Sequence, residues 1–555
     1  MTHRHFKYEG WLYALAFLAA IAIRLIALGA MPLTDAEAAP ALQALRLSQS
    51  ARPALDPHPL YILSTYVLFL LFGGGTNFLA RFVPALVGSL FVLAPLLFDD
   101  RIKPRPSLIL AFFLVLDPGL VAISRQAASP MPAIAFLIFS IGFYNKNKTV
   151  HAAVAAALAL LSGPSVWFGL LGIGITFAIA QFLPTSIHLS SLRRSSGQAF
   201  LPFIITLLLA GTLLFTVPSG LGAAFSSIPA FINSLRTLSD ISQGMLTISL
   251  LVYQPFALIL AVIALVRGWT RGLRRILYLS AWLLVSLLLA IFLPGRRMAD
   301  LAWALIPLNA LASLELARHF TIHPEERRET AGVVALTAFI WVFAWLGFAG
   351  INWLPAGTPE FNLRAGMLIG SALLLIVSLI LVAAGWSIRI AQIGGVWGMA
   401  LCLGVLSLGG MIGSTGIRGS SSPELWLLPN SPAQAELLRS TVSEISEIGR
   451  GNDYTASVTI LGVNSPALEW TLRENPVHLA DALDPSGNPD IVITSFETNP
   501  QLASAYRGQD FLWRQTPLWN LADTPAWLRW LSLRQMPQSQ EIIILWARSD
   551  LFLDD

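Results

Sequence analysis

Charge is scarce in this sequence. Asp, Glu, Lys and Arg make up 12% of its 555 residues, about half of the roughly 25% that soluble domains carry. So few charges cannot cover a water-facing surface of this size, which excludes an ordinary soluble enzyme. An apolar content of 55% excludes a disordered chain. The single cysteine, Cys402, sits in an apolar run and has no internal partner, which excludes a disulfide scaffold. Lysine is confined to Lys7, Lys103, Lys146 and Lys148. Long apolar runs are what the chain has in abundance, and a mean hydropathy of +0.67 marks an α-helical polytopic membrane protein.

The charges are unevenly placed. Residues 413–555 hold 17 acidic residues against 9 arginines and no lysine, leaving 26 basic and 14 acidic residues before them. Such asymmetry sometimes marks nucleic-acid binding. Here the basic residues sit in short loops between apolar runs, where they orient a chain in a membrane, and no nucleic-acid partner is expected.

A helix needs about 20 mostly apolar residues to cross a bilayer. Thirteen segments are candidates: 11–30, 82–98, 107–123, 131–143, 150–161, 167–183, 199–217, 247–266, 276–293, 301–317, 331–354, 365–384 and 393–412. The first reads as an uncleaved anchor. Segment 60–72 is apolar but short, which fits an interfacial helix better than a span. If it does not cross, all four lysines fall on the N-terminal side, with Arg193, Arg194, the cluster Arg267, Arg271, Arg274 and Arg275, and the pair Arg327 and Arg328. The positive-inside rule then puts the N-terminus in the cytoplasm of a cell-membrane protein. Thirteen spans place the C-terminal region outside. Residues 31–81 become a long first external loop and residues 218–245 a second.

The organisation expected is a membrane domain over 1–412, a linker over 413–430 and a small extracytoplasmic α/β domain over 431–555. In the last, 433–448 reads as an amphipathic helix ended by Gly449, 467–474 as helical, and 457–463, 490–495 and 541–548 as strands. No phosphate loop, zinc spacing or Ser/His/Asp order appears there. It reads as an appendage packed over a membrane site, or as an acceptor-binding module.

Few residues can carry chemistry. Asp35 and Glu37 follow the first span. They suit helix capping, and equally a general base at the outer interface acting on an acceptor hydroxyl or amine. Arg24 lies inside the first span, where an arginine faces a cavity, a lipid phosphate or a carboxylate, or else snorkels to the interface. Arg296 and Arg297 lie between spans on the outer side, against the positive-inside tendency, and arginine forks match phosphate oxygens. Arg125 occupies the next external loop. His58, in Pro-His-Pro-Leu-Tyr, titrates near neutrality when unperturbed.

These residues fall in a pattern that resembles the polyprenyl-phosphate-dependent glycosyltransferases of the GT-C superfamily, in particular aminoarabinose and protein O-mannosyl transferases. The carrying features are Arg24, Asp35-Ala-Glu37, Pro57-His-Pro-Leu-Tyr61, Leu-Phe-Gly73, Ala80-Arg-Phe-Val-Pro-Ala-Leu-Val-Gly88, Asp117-Pro-Gly and Ile123-Ser-Arg125, in order over residues 11–144. Glu469-Trp-Thr-Leu-Arg473 and Glu541-Ile-Ile-Ile-Leu-Trp-Ala-Arg548 resemble flippase-activity-associated, glycosyltransferase-like proteins. The resemblance implies a GT-C-like fold of about thirteen transmembrane helices. It also implies transfer of a sugar from a polyprenyl-phosphate donor to an external acceptor. Asp35 or Glu37 would be the catalytic acid, and Arg296, Arg297 and Arg24 would meet the donor phosphate. His58, Tyr61 and Arg125 would line the substrate site. Neither cofactor nor metal is expected. Such families place a second acid shortly after the Ser-Arg of the next loop. This chain has Gln126-Ala-Ala-Ser-Pro-Met131 instead, with no carboxylate. A non-catalytic relative assisting lipid-linked glycan export or assembly is the alternative. A secondary transporter would require an inverted repeat, and none is visible.

Overall fold

The computed structural model describes residues 9–99, 104–182, 196–354, 357–418, 422–483, 488–498 and 500–552. Lys7, Lys103, Arg193 and Arg194, which help to orient the chain by sequence, lie outside the described residues. All thirteen apolar segments are built on helices. Six helices are individually long and apolar enough to cross a bilayer, or eight if two sharply bent pairs each count as one span. Five others, Pro59–Phe72 among them, have only 10–17 residues. At 1.5 Å per residue these are shorter than a hydrocarbon core of about 30 Å. The chain is a multi-pass membrane protein.

Both bends have a local cause. Pro104–Leu116 meets Pro118–Ser124 at 59°, and Gln243–Tyr253 meets Pro255–Arg271 at 92°. In each case a proline opens the second helix, which removes a backbone donor and forces the preceding residue out of helical geometry. Those preceding residues, Asp117 and Gln254, bond each other. The Gln254 amide donates to the Asp117 carboxylate at 2.8 Å, and the Asn309 amide donates to the same oxygen at 2.7 Å. One buried polar knot thus ties both breaks to Ala302–Leu316. The straight span expected over 247–266 is therefore this broken pair, and the loop expected over 218–245 contains the helix Ser219–Ser234.

The C-terminal domain carries a six-stranded mixed sheet of β1 (Ser431–Pro432), β2 (Val458–Leu461), β3 (Val477–Ala480), β4 (Ile491–Ser495), β5 (Tyr506–Pro517) and β6 (Gln538–Arg548). Its order is β1-β5-β6-β4-β2-β3. β2 runs parallel to β3 and β4, with Val458 opposite Ile491, and the other pairs are antiparallel. The amphipathic helix is Ala435–Arg450 and ends at Gly451 in the left-handed region (φ 71°), not at Gly449. Gly449 lies inside the helix because Leu551 packs against it, so that an added Cβ would stand 2.5 Å from that side chain.

The segment after the first helix, α1 (Glu9–Leu25), folds as α2 (Asp35–Ser48) and α3 (Pro59–Phe72), followed by α4 (Asn77–Phe91). Ala38, Leu42, Ile62 and Phe69 of this region share one hydrophobic core with Leu438, Val442, Trp470 and Ile491 of the C-terminal domain. In return the helix Thr524–Leu533 sends Trp530 into the core of the membrane helices, where its indole donates to the Pro423 carbonyl at 2.8 Å. The two halves are interlocked around the space where the candidate site lies.

Candidate functional site

Thr34 is the N-cap of α2, and Glu37 stands at the third helical position, where its carboxylate accepts the Thr34 backbone N–H at 3.1 Å. This is half of a capping box. Arg81 of α4 grips the same carboxylate bidentately, with Nε and Nη2 each donating at 2.7 Å. The backbone N–H of Ala127 and the Thr34 hydroxyl complete the shell. Arg81 spends its remaining donors on the carbonyls of Met31, Leu28 and Pro32. Burial raises the Glu37 carboxyl, but the Arg81 charge and these hydrogen bonds outweigh it and hold the group below the usual carboxylate range. An acid 2% exposed and bonded on every side is a keystone of the first loop.

Asp35 points elsewhere. Its carboxylate takes Arg514 of β5 at 2.5 Å, the Ser465 hydroxyl at 2.7 Å and the Ala467 N–H at 3.0 Å. It tethers α2 to the C-terminal domain, alongside the Arg46–Glu469 ion pair, Trp470 to Asn77 at 2.8 Å and Arg473 to the Gly75 carbonyl at 2.9 Å.

Three residues expected to meet substrate are consumed by packing. Arg24 is fully buried and does not snorkel; its guanidinium donates to the Ser124 hydroxyl and the Leu114 carbonyl, each at 3.1 Å. Gly88 permits this approach, since a Cβ there would lie 2.3 Å from the Ser124 oxygen. Arg125 donates to the carbonyls of Ile23, Arg24, Ile26 and Ala27, capping the end of α1. Tyr61 is 3% exposed and donates to the Ala80 carbonyl at 2.9 Å.

What remains converges on a cavity of about 550 Å³ between the membrane helices and the C-terminal domain. Asp56, His58, Gln126, Ser129, Arg297 and Glu424 are its polar or charged markers. Arg296 is turned aside and donates to the Ile241 carbonyl at 2.5 Å, so of the arginine pair only Arg297 lines the space. Burial, reinforced by the Arg297 charge and partly offset by Asp56, lowers the His58 imidazole to about 4 and keeps it neutral. The Asp56 side chain makes no hydrogen bond or ion pair among the described residues, although its backbone N–H is held by Gln43. Burial raises the Glu424 carboxyl, with Arg534 and the Tyr253 hydroxyl opposing. Gln126 stands at the start of the loop that lacks an acid, and its amide donates to the Trp426 carbonyl at 2.9 Å. Among the described residues no three His, Cys, Asp or Glu side chains are grouped as a metal site would require. Asp56 and Glu424 escaped the sequence reading. For Asp56 a signal was present, since it lies two residues before His58 in Asp-Pro-His-Pro.

No protein-family profile matches the sequence, and no curated protein matches it. Solved structures do share the fold over nearly the whole chain, at low sequence identity. One such neighbour is ArnT from Cupriavidus metallidurans. The structure of that protein bound to undecaprenyl phosphate aligns over 98% of this chain and 99% of its own, with TM-score 0.59 and 13% identity. Its apo structure aligns over 97% and 98%, with TM-score 0.56 and 14% identity.

Proposed function

We propose that this protein transfers a sugar from a polyprenyl-phosphate donor to a nucleophilic acceptor in the cavity bordered by Asp56, His58 and Arg297. The observation that carries the reading is the convergence of an unpartnered carboxylate, a neutral imidazole and an arginine on one cavity. The fold is shared with a protein crystallised with undecaprenyl phosphate. The site faces the extracytoplasmic side, opposite the loops that carry Lys146 and Lys148. The prenyl chain stays in the bilayer and the donor phosphate meets Arg297, whose planar fork suits phosphate oxygens. Asp56 takes the proton of the acceptor hydroxyl or amine as its bond to the anomeric carbon forms. The bond from that carbon to the phosphate oxygen breaks, and the charge that develops there is stabilised by Arg297. Neutral His58 is placed to hydrogen-bond substrate without competing for the proton. Glu37 and Arg81 hold the loop that shapes the wall.

A second assignment of the base is favoured by one observation. Asp35 keeps 27% of its side chain exposed, and its neighbour Ala36 lines the cavity. Purified protein assayed with radiolabelled undecaprenyl-phosphate hexoses and pentoses, and membrane extract as acceptor, separates the two. Asp56→Asn is expected to lower transfer by about 100-fold or more, and Arg297→Ala similarly, while Asp35→Asn lowers domain docking more than turnover. Transfer retained in Asp56→Asn but lost in a folded Asp35→Asn protein moves the base to Asp35. Donor binding without transfer by the wild type, whatever the acceptor, supports the non-catalytic alternative.

A further inference from the structure

A second cavity, of about 270 Å³, lies among the membrane helices at the other end of the molecule. Arg275 stands near the start of the helix Arg274–Phe292, and Arg297 follows that helix's end. Nineteen residues at 1.5 Å separate the ends of this helix by about 28 Å. The wall is almost wholly hydrocarbon, with Phe98, Leu110, Trp282, Ile306 and Leu314 around it and Ala310 among its smallest side chains. From Leu314 to Ile306 it follows one helix for about 12 Å. The only charged residue on its lining is Arg275.

An apolar void of this kind does not hold water. In a bilayer the material at hand to fill it is an acyl chain. The charged residues near in sequence to the lining, and Arg275 within it, add a second requirement. Arg267 and Arg318 share the Glu315 carboxylate, at 2.6 and 2.7 Å, and Lys146 is paired with Asp99 at 2.5 Å. Arg275, exposed at the rim, makes no hydrogen bond or ion pair with the described residues. A guanidinium with unspent donors above a hydrocarbon slot is complementary to a phosphate carrying an acyl chain, and basic pockets between membrane helices take anionic lipid headgroups in this way. We propose that this cavity is a binding site for one anionic phospholipid, its phosphate on Arg275 and one acyl chain between Trp282 and Ile306. The site is separate from the one bordered by Arg297 and does not depend on the function proposed for it.

Native mass spectrometry of the full chain in detergent, titrated with phosphatidylglycerol or with phosphatidylcholine of the same chains, tests the proposal. One phosphatidylglycerol is expected to remain bound at least 10-fold more tightly than phosphatidylcholine. Arg275→Gln, at an exposed position that leaves the fold intact, should abolish that preference. Ala310→Phe should fill the slot and release the lipid, and its thermal unfolding midpoint shows whether it is folded. Equal retention of the two lipids by the wild type overturns the proposal, as does wild-type retention in Arg275→Gln. Displacement of phosphatidylglycerol by equimolar undecaprenyl phosphate also overturns it, since the occupant would then be a carrier lipid.

Discussion

Two membrane helices set the terms of this fold. Met298–His319 is 83% buried across its most apolar window, whereas Pro359–Gly385 is 11% buried. The buried helix is the less apolar of the two and carries Asn309 and Glu315 at full burial. The exposed one presents Leu373, Leu374 and Ile376 outward. In a soluble protein the relation would be inverted. Lipid is as apolar as leucine, so apolar side chains gain little by facing protein, while polar side chains must find protein partners. The least hydrophobic span is therefore the one at the centre, next to the site.

Four substitutions break or sharpen this contrast. Glu37→Gln at the buried keystone should cost most, about 3–5 kcal/mol, because Arg81 is left as an uncompensated buried charge; a thermal unfolding midpoint unchanged from wild type would remove the keystone role. Asn309→Leu takes one donor from Asp117 and should cost on the order of 1–3 kcal/mol, seen as a lower midpoint in the same detergent. Leu374→Ala, on the lipid face and 57% exposed, should shift the midpoint by no more than about 0.5 kcal/mol equivalent. A loss comparable to that of Asn309→Leu would show that this helix packs against protein.

At neutral pH and above the smallest effect concerns His58. Its folded pKa near 4 lies below the ordinary value of 6.5, so the unfolded chain binds more protons between those values. Stability is fully present above pH 6.5 and is lost as the pH falls towards 4. His58→Gln should flatten that slope and leave the midpoint at pH 8 little changed. An identical slope in wild type and variant would mean that His58 is not held neutral.

The membrane class and the approximate position of the thirteen apolar segments were legible, because apolar runs of that length have one physical use, whereas the helix Ser219–Ser234 lies where a loop was expected and Thr524–Leu533 was not foreseen. The bends at Pro118 and Pro255 were legible in principle, since proline removes a donor wherever it falls, yet the angles depend on the Asp117–Gln254–Asn309 knot. Strands β2, β4 and β6 carry buried Val, Ile and Leu and announce themselves. β3 and β5 are largely exposed or half-buried and exist as strands because a neighbour pairs with them. The charged residues were found by type, but their partners were not legible. Arg24 and Arg125 bond backbone carbonyls that sequence spacing does not reveal, and Glu37 pairs with an arginine 44 residues away.

Periodicity and composition alone determined that this chain lives in a membrane and carries a stretch of soluble composition after residue 431, since both follow from free energies of transfer that each residue carries with it. Which of Asp35, Glu37 and Asp56 is left facing an open cavity was decided only by the tertiary structure. A carboxylate's availability depends on which donors reach it first, and Arg81, Arg514 and Ser465 come from distant parts of the chain.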